Sequence, residues 1–385
     1  MIKKKLKKIL AFNIIFFLRL VNFLFKIRLA YIYSSRIGHL TMNTDVAYSS
    51  HNNNTLFFFA YEKKISNPYI FNLIKKKKRI YFSNFFIFII NLLKNNLEPI
   101  IYREYILEWD QYQPRFNKFY ITKPFISFLE KDINNFKIFL EINNISKNFI
   151  CFNNRDNDYL KKKNIVDPNN HDYRNFKFED FSLAIDKISK RYSVVRIGQF
   201  QEPESKIQNK NFFDFTNNKY NEKDLVFFNY LSRYNVLSLT GLTGLQQCFR
   251  KKGLYVNFIP FNLNLLTYTS PGSIIIPKKI FSNRLNRNLN FFEMSNLNIN
   301  VHNANNFFEK YQLKIINNSP QDILSGVMEM EDELDSKDND DFQKLQHEFW
   351  KIFEKRNFDQ VKYLRDQLNI KISGNFLLNN PDLLI

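Results

Sequence analysis

The residues best suited to catalysis or ligand binding follow an apolar run near the middle of the chain. Arg155 and Asp156 come directly after this run, and His171, Tyr173 and Arg174 follow soon afterwards. A guanidinium group offers a planar pair of donors, so two arginines could bind a diphosphate while Asp156 orients Arg155 or His171. An Arg–Asp pair that only fixes the loop would use the same residues. The pattern therefore predicts either an anion site or a structural ion pair.

Glycines mark three further turns, and the chain has only eight glycines. The turns are Arg36-Ile37-Gly38-His39, Arg196-Ile197-Gly198 and Thr240-Gly241-Leu242-Thr243-Gly244. Glycine allows close approach of a ligand to the backbone, and a helix N-terminus attracts anions. Gly241 and Gly244, with Thr243 between them, would suit a phosphate, and Arg196 would lie at a strand end, where ligands of open α/β sheets gather. Tight packing explains such turns equally well.

The remaining chemistry-bearing residues are few. His39 follows a glycine after the first predicted strand, where its imidazole could serve as a general base, hold a phosphate or simply pack. Five histidines, and two cysteines 97 positions apart, exclude a zinc finger, an iron–sulfur cluster and a disulfide framework. The triplet Asp156-Asn157-Asp158 fits a two-carboxylate metal pattern, but a chain with 37 acidic residues is expected to contain such a triplet by chance. We therefore expect no metal and no cofactor, and a reducing compartment.

The elements that must position these residues alternate between short β-rich runs and longer helical ones. This alternation predicts an α/β fold with two Rossmann-like domains, divided at 145/146, with parallel sheets and helices on both faces. The predicted strands are 27–33, 55–60, 79–82, 148–153, 193–198, 212–215, 235–239 and 254–259. The predicted helices are 39–50, 69–77, 85–95, 124–143, 179–191, 224–234, 243–252 and 342–368, with a further helix start at Ser319-Pro320.

The first 36 residues contain nine Lys and Arg and no acidic residue, so they carry +9 of the formal charge of +19. Within residues 1–27, a Phe-, Leu- and Ile-rich helix with basic positions is typical of a helix that lies on an anionic membrane surface. A membrane-spanning anchor and a simply packed helix are the alternatives, and Arg19 interrupts the apolar run that a span needs.

Several of these motifs, taken in order, resemble a bacterial family of glycosyltransferases found with surface-polysaccharide genes. The resemblance covers about residues 28 to 355 and rests on these segments: Arg36-Ile37-Gly38-His39-Leu40, Phe149 to Asp156 with Tyr159-Leu160, His171 to Asn175, Val194 to Gly198, the 240–245 turn, Ile276-Pro277-Lys278-Lys279 and the 319–322 helix start. The Arg-Asp strand end is similar to that of fucosyltransferases with two Rossmann-like domains. By that resemblance, Arg155 contacts the donor diphosphate.

The resemblance implies a GT-B-like enzyme whose two domains face a cleft. We expect residues 28–145 to meet a glycan or lipid-linked acceptor and residues 146–385 to bind a nucleotide-sugar. His39, Arg155 and Asp156 are the expected catalytic residues; Arg174, Arg196, Gly241, Thr243 and Gly244 bind the donor phosphate; Arg36, Gly38, His171 and Tyr173 line the acceptor side or the cleft.

The expected location is cytoplasmic, on the inner face of the membrane, with no nucleic-acid partner. Two rivals remain: a basic nucleic-acid-binding protein of an AT-rich genome, and a non-catalytic scaffold for polysaccharide assembly.

Overall fold

Two α/β units make up the chain, Met1–Ser127 and Phe128–Ile385. The computed structural model describes residues 2–108, 120, 122–157, 161, 168–198, 205–216, 221–299, 304–337 and 339–385. Parallel sheets dominate both units, so the predicted α/β class with parallel sheets is confirmed. Asp158, Tyr159 and Leu160, which belong to the motif after Arg155, lie outside the described residues.

The first unit contains a three-stranded parallel sheet in the order β1-β2-β3, with β1 at Lys26–Ile32, β2 at Thr55–Tyr61 and β3 at Ile80–Phe82. A π-helical turn, His39–Asn43, continues into the helix Thr44–Ser49. The other helices are Ile2–Val21, Pro68–Lys75, Phe85–Asn96 and Pro99–Tyr102. All three strands begin and end within one or two residues of the predicted positions, because β-branched and aromatic runs bounded by polar turns define them locally.

The N-terminal helix, Ile2–Val21, buries Ala11, Ile15 and Leu18 in the apolar core of this unit. These residues are four and three positions apart, which is the spacing of one helix face. The opposite face is apolar and exposed, as described below. No helix among the described residues is long and apolar enough to cross a membrane.

The second unit is built on a seven-stranded parallel sheet in the order β13-β9-β8-β7-β4-β5-β6. The strands are β4 Phe149–Asn153, β5 Ser193–Arg196, β6 Phe212–Asp214, β7 Asn235–Leu237, β8 Gly253–Phe258, β9 Ile274–Pro277 and β13 Lys371–Ile372. Three antiparallel strands form a small sheet: β10 Lys279–Ser282, β11 Arg287–Asn288 and β12 Leu313–Ile316. Every residue of β4 and β8 is buried, as expected for strands covered on both faces.

The helices of this unit are Glu130–Ile142, Ser182–Ile188, Glu222–Leu231, Gly241–Cys248, Leu263–Leu266, Phe291–Ser295, Ala304–Lys310, Pro320–Leu334, Asp340–Lys362 and Gly374–Asn379. Short 3₁₀ segments occur at Pro168–Arg174, Phe178–Phe181 and Pro381–Leu384, and a π-helical turn at Tyr363–Gln367. The predicted final helix, 342–368, is therefore a helix to Lys362 that continues as this π-helical turn.

The division between the units falls at Ser127/Phe128 and not at the expected 145/146. The reason is the helix Glu130–Ile142, which packs within the second unit. Its Asp132 forms an ion pair with Lys223, with 2.7 Å between Asp132 Oδ1 and Lys223 Nζ. The ring of Phe136 stacks on that of Phe227, with the ring centroids 5.4 Å apart.

The strand order of the seven-stranded sheet has one reversal. From β4 the chain adds β5 and then β6 on one side, and it then places β7, β8 and β9 on the other side of β4. The point where the order reverses lies between β4 and β7. In open parallel sheets, ligands bind outside the carboxyl ends of the strands at such a point.

Candidate active site

Asn153, the last residue of β4, ties together the loops that follow three adjacent strands. Its Nδ2 donates to the carbonyl oxygen of Ile197, after β5, at 2.7 Å. Its Oδ1 accepts from Thr240 Oγ1, after β7, at 3.1 Å. This buried amide therefore fixes the carboxyl edge of the sheet on both sides of the reversal point. No role of its own was predicted for Asn153.

The turn after β7 starts the helix Gly241–Cys248. Thr240 is the N-cap, and its hydroxyl accepts from the backbone N–H of Leu242 at 3.3 Å. Gly241 is exposed, so the first backbone groups of the helix lie at the surface. Thr243 and Gly244 are buried, and Thr243 Oγ1 donates to the carbonyl of Thr240 at 2.7 Å. Gly241 is thus the accessible part of this turn, whereas Thr243 and Gly244 shape the helix start from inside.

Arg155 and Arg174 are brought to the same edge. Arg155 lies two residues after the end of β4. Arg174 is the last residue of the 3₁₀ segment 168–174. Its Nη2 donates to the carbonyl oxygen of Leu239, the residue directly before Thr240. The Nε atoms of both arginines are buried, and neither has a hydrogen-bond partner among the described residues. A buried donor of this kind is costly unless something else satisfies it.

The electrostatics of the two arginines indicate an uncompensated positive site. Burial, followed by the nearby Arg174, lowers the pKa of Arg155 to about 9. Burial also lowers the pKa of Arg174. Asp156 and Asp172 act in the opposite direction on Arg155, but within the described part of the chain no carboxylate forms an ion pair with either guanidinium.

Lys278 is a third cation at this edge, and no role was predicted for it. It directly follows β9 and is 2% exposed, and its Nζ donates to the carbonyl oxygens of Tyr173 at 3.0 Å and Asn175 at 2.9 Å. Burial, and then Arg174, lowers the pKa of Lys278 to about 7. The available signal was a lysine placed after the apolar run Ile274–Ile276, a strand that was not predicted.

The other residues of this loop are ordered by contacts of their own. The Asp172 carboxylate accepts from the side-chain amides of Asn157 and Asn175, the latter at 3.2 Å. Tyr173 is buried, and its ring lies 5.8 Å from that of Phe308, so it packs inside the unit; its expected place at the acceptor side or the cleft stays a prediction. The ring of His171 lies 6.2 Å from that of Tyr173.

An open cavity of about 540 Å³ lies beside this loop. It is lined by Asn175, Phe176, Lys177, Asp180, Asn317 and Asn318. Asn175 also accepts the hydrogen bond from Lys278, so the cavity and the cation cluster share a wall.

Arg196 does not belong to the cluster as a free phosphate ligand. Its side chain is 2% exposed, forms an ion pair with Asp214 at 3.0 Å and lies over the ring of Phe178 at 4.2 Å. Asp214 stands beside Arg196 in the parallel register of β5 and β6. The pair fixes the edge of the sheet and engages the guanidinium group that was expected to bind the donor phosphate.

The expected residues of the first unit form a separate group. The backbone N–H of Ser35 donates to a Glu62 carboxylate oxygen at 2.7 Å, so an acidic group stands at the turn that was expected to attract an anion. Gly38 has ordinary helical angles, and Arg36 is exposed. His39 Nδ1 lies 3.1 Å from Asn43 Oδ1, and burial lowers the pKa of the ring to about 4. His39 is therefore neutral at pH 7.

Metal ligands are not grouped in the part of the chain that the structure describes. Among those residues, no set of three or more His, Cys, Asp or Glu side chains could hold a metal ion. Asp158, one half of the two-carboxylate pattern, is outside them. The expectation of metal independence stays a prediction.

Fold and geometry together define an α/β protein with a cluster of buried cationic side chains at the carboxyl edge of its larger sheet. No family model and no curated protein matches the chain. Among solved structures, it is similar to the ADP-heptose LPS heptosyltransferase II of E. coli, with 10% identity over 81% of this chain and 100% of that chain and a TM-score of 0.47. It is also similar to a glycosyl transferase of family 9 from Veillonella parvula DSM 2008, with 11% identity over 81% and 98% and a TM-score of 0.48. The E. coli heptosyltransferase WaaC with ADP matches at 11% identity over 74% and 97%, with a TM-score of 0.34. At these identities, function has to be inferred from the chain's own residues.

Proposed function

We propose that this chain is a glycosyltransferase that moves a sugar, of the hexosyl or deoxyhexosyl type, from a nucleotide-sugar to a surface-polysaccharide or lipid-linked acceptor. The observation that supports it is the pair of buried Nε donors on Arg155 and Arg174 at the point where the strand order reverses. A nucleoside diphosphate carries the charge that such a cluster requires, and the second unit is its proposed binding site.

In this proposal, Arg155 and Arg174 stabilise the negative charge that grows on the departing diphosphate. Donors that are already fixed in place cost no reorganisation during the reaction. Arg174 is held by its bond to the Leu239 carbonyl, and Gly241 offers exposed backbone at the adjacent helix start. Asp156 raises the pKa of Arg155 and so helps to keep it charged.

The first unit is proposed to meet the acceptor, with His39 as the base. Its ring is neutral at pH 7, so one of its two ring nitrogens carries no proton, as a base requires. A pKa of about 4 makes it a weak proton acceptor, so its contribution would be smaller than that of a histidine that titrates near pH 7.

The test is thermal stabilisation by a panel of nucleoside diphosphates, followed by turnover with the matching nucleotide-sugars. A ligand at 100 times its dissociation constant adds about 2.7 kcal/mol to the free energy of unfolding. We expect one nucleotide to stabilise the wild type and to lose this effect in Arg155→Met and Arg174→Met, with Lys147→Met, an exposed cation elsewhere on the unit, as the matched control. Stabilisation by oligonucleotides alone would favour the nucleic-acid rival, and binding without turnover would favour the scaffold.

We further propose that the N-terminal helix holds the protein on an anionic membrane surface. The helix and the turn after it expose ten large apolar side chains: Leu6, Ile9, Leu10, Phe12, Phe16, Phe17, Leu20, Phe23, Leu24 and Phe25. Lys3, Lys4, Lys5, Lys7 and Lys8 are exposed on the same segment. Apolar residues that enter the acyl boundary and cations that attract anionic headgroups are the two components of interfacial binding, and each cation near the surface contributes about 1 kcal/mol.

Deleting the helix would be a poor test, because Ala11, Ile15 and Leu18 belong to the core. We instead expect the double variant Phe16→Glu/Phe17→Glu to lose cosedimentation with phosphatidylserine vesicles, since both side chains are more than 60% exposed. Ile142→Glu, which changes an apolar side chain 74% exposed in the second unit, is the control. Unchanged cosedimentation of the double variant would assign the helix a purely structural role.

A further inference from the structure

Lys278 holds the backbone on both sides of Arg174 by hydrogen bonds. Its ammonium group donates to the carbonyl oxygens of Tyr173 and Asn175, which are the residues on either side of Arg174. These two hydrogen bonds fix the backbone of Arg174, while the guanidinium group is tied to the carbonyl of Leu239. The end of β9 therefore determines where Arg174 lies relative to the turn after β7.

A buried ammonium group beside two guanidinium groups is an unfavourable arrangement without an anion. The charged groups that act on Lys278 are Arg174 and Arg155, which disfavour its protonated form, and Asp180, which favours it. Within the described residues, no carboxylate forms an ion pair with Lys278. An anion bound by the two arginines would reverse the balance, because opposite charges nearby favour the charged form of a lysine.

We infer that Lys278 is a positioning residue for Arg174 and that its protonation is coupled to anion binding, so that the site takes up a phosphate group together with a proton. The inference rests on the proposed function in one respect: the anion is taken to be the donor diphosphate. The hydrogen bonds to the 173 and 175 carbonyls are stronger from the charged ammonium group than from a neutral amine, so loss of its proton removes a positive charge from the site and weakens the placement of Arg174.

The coupling has a defined sign. The pKa of Lys278 without ligand is about 7, and a bound anion raises it. Between these two values binding takes up a proton, so anion affinity falls as the pH rises above about 7, by up to about tenfold per pH unit from linkage. Below pH 7 the lysine is already charged in the free protein, and affinity is constant as far as this group is concerned.

The experiment titrates the full-length protein with inorganic sulfate by calorimetry between about pH 6 and 8, at constant ionic strength, which keeps the pH below the pKa of about 9 of Arg155. Sulfate is a useful probe because its charge does not change in this range. Lys278→Met is the test variant and Lys278→Arg is the charge-retaining variant. Lys251→Met is the matched control, because Lys251 is a partly buried lysine whose Nζ also donates to two backbone carbonyls, those of Tyr230 and Ser232.

We expect wild type and Lys251→Met to bind sulfate more weakly as the pH rises above 7. Lys278→Met should bind sulfate weakly at every pH. Lys278→Arg should bind sulfate with little pH dependence. Wild-type proton uptake, from calorimetry in two buffers of different ionisation enthalpy, tests the same coupling without any variant. Wild-type binding without pH dependence or proton uptake would overturn the role of Lys278 and leave the proposed function standing. Failure of the wild type to bind sulfate or any nucleoside diphosphate would overturn the proposed function itself.

Discussion

Arg155 is the residue on which the proposed chemistry depends most directly. Arg155→Lys keeps the charge but loses the planar two-pronged donor geometry. Loss of a transition-state contact of about 3 kcal/mol would reduce turnover by about 10²-fold or more. We expect this loss with a melting temperature close to that of the wild type, since the Nε of Arg155 has no partner in the described fold. Turnover and melting temperature should be measured on the same preparation.

Arg196→Lys is the matched control for that variant. Arg196 is also an arginine at a strand end, but it forms the buried ion pair with Asp214 and covers Phe178. Lysine would disturb both contacts, so this variant should melt earlier and keep near-normal turnover in the molecules that remain folded. The opposite pattern in the two variants would make Arg155 structural and direct the search for the phosphate ligand to Arg174.

His39 gives a pH dependence of stability. Burial lowers its pKa from 6.5 to about 4, so between these values the unfolded chain binds a proton that the folded chain excludes. The free energy of unfolding should therefore fall as the pH decreases from 6.5 towards 4 and be unaffected by His39 above 6.5. His39→Gln should decline less steeply in urea unfolding across this window. An identical decline in both proteins would mean that the ring is not buried as a neutral group.

At the scale of elements, one helix start was predicted together with its cap. The Ser319-Pro320 start was predicted and is present as a capping box: Ser319 Oγ accepts from the Asp322 N–H at 3.1 Å, and Asp322 accepts from the Ser319 N–H at 2.9 Å. Ser319→Ala should cost about 1 kcal/mol, which corresponds to a fall of about 2–4 °C in the melting temperature of a unit of this size. Ser127→Ala, at an exposed loop serine, serves as the control. An equal effect of both changes would argue against the cap.

Strands β1 to β8 were predictable because their apolar runs are local signals, whereas β9 to β13 were not predicted and some helix boundaries shifted. The predicted helix 224–234 begins at Glu222, because Asn221 and Asp224 form a second capping box. The predicted helix 124–143 begins only at Glu130. The first shift follows from side-chain hydrogen bonds that apolar periodicity does not encode, whereas the start at Glu130 has no side-chain cap.

The site was predictable only in part, because its residues meet over long distances in sequence. Arg155 and Arg174 were selected from their types and their position after a strand, and their role stays a prediction. Asn153 and Lys278 were not, since their roles depend on partners 87 and 105 positions away. Arg196 was assigned to the site because a strand end alone does not reveal that Asp214 stands beside it on the next strand.

At the scale of the whole molecule, the net charge of +19 separates into two parts. Residues 1–36 carry +9, and their lysines are exposed, which suits diffuse attraction to a charged surface. The cations at the sheet edge are instead buried and held by backbone carbonyls, which suits one small anion. Salt should therefore weaken vesicle binding more strongly than it weakens nucleotide binding, because exposed charges are screened more than buried ones.

The same charge distribution predicts that transfer needs no divalent metal. Arg155, Arg174 and Lys278 supply up to three positive charges at the proposed diphosphate position, so a metal ion would add to a charge that is already sufficient. Turnover should therefore survive exhaustive treatment with EDTA, and added magnesium or manganese should change it by less than about twofold, well under 1.4 kcal/mol. The control is the Arg155→Lys variant, which should not be rescued by either metal. Activity that is abolished by EDTA and restored by manganese would contradict the prediction and make Asp156 and Asp158 the first candidates for ligands.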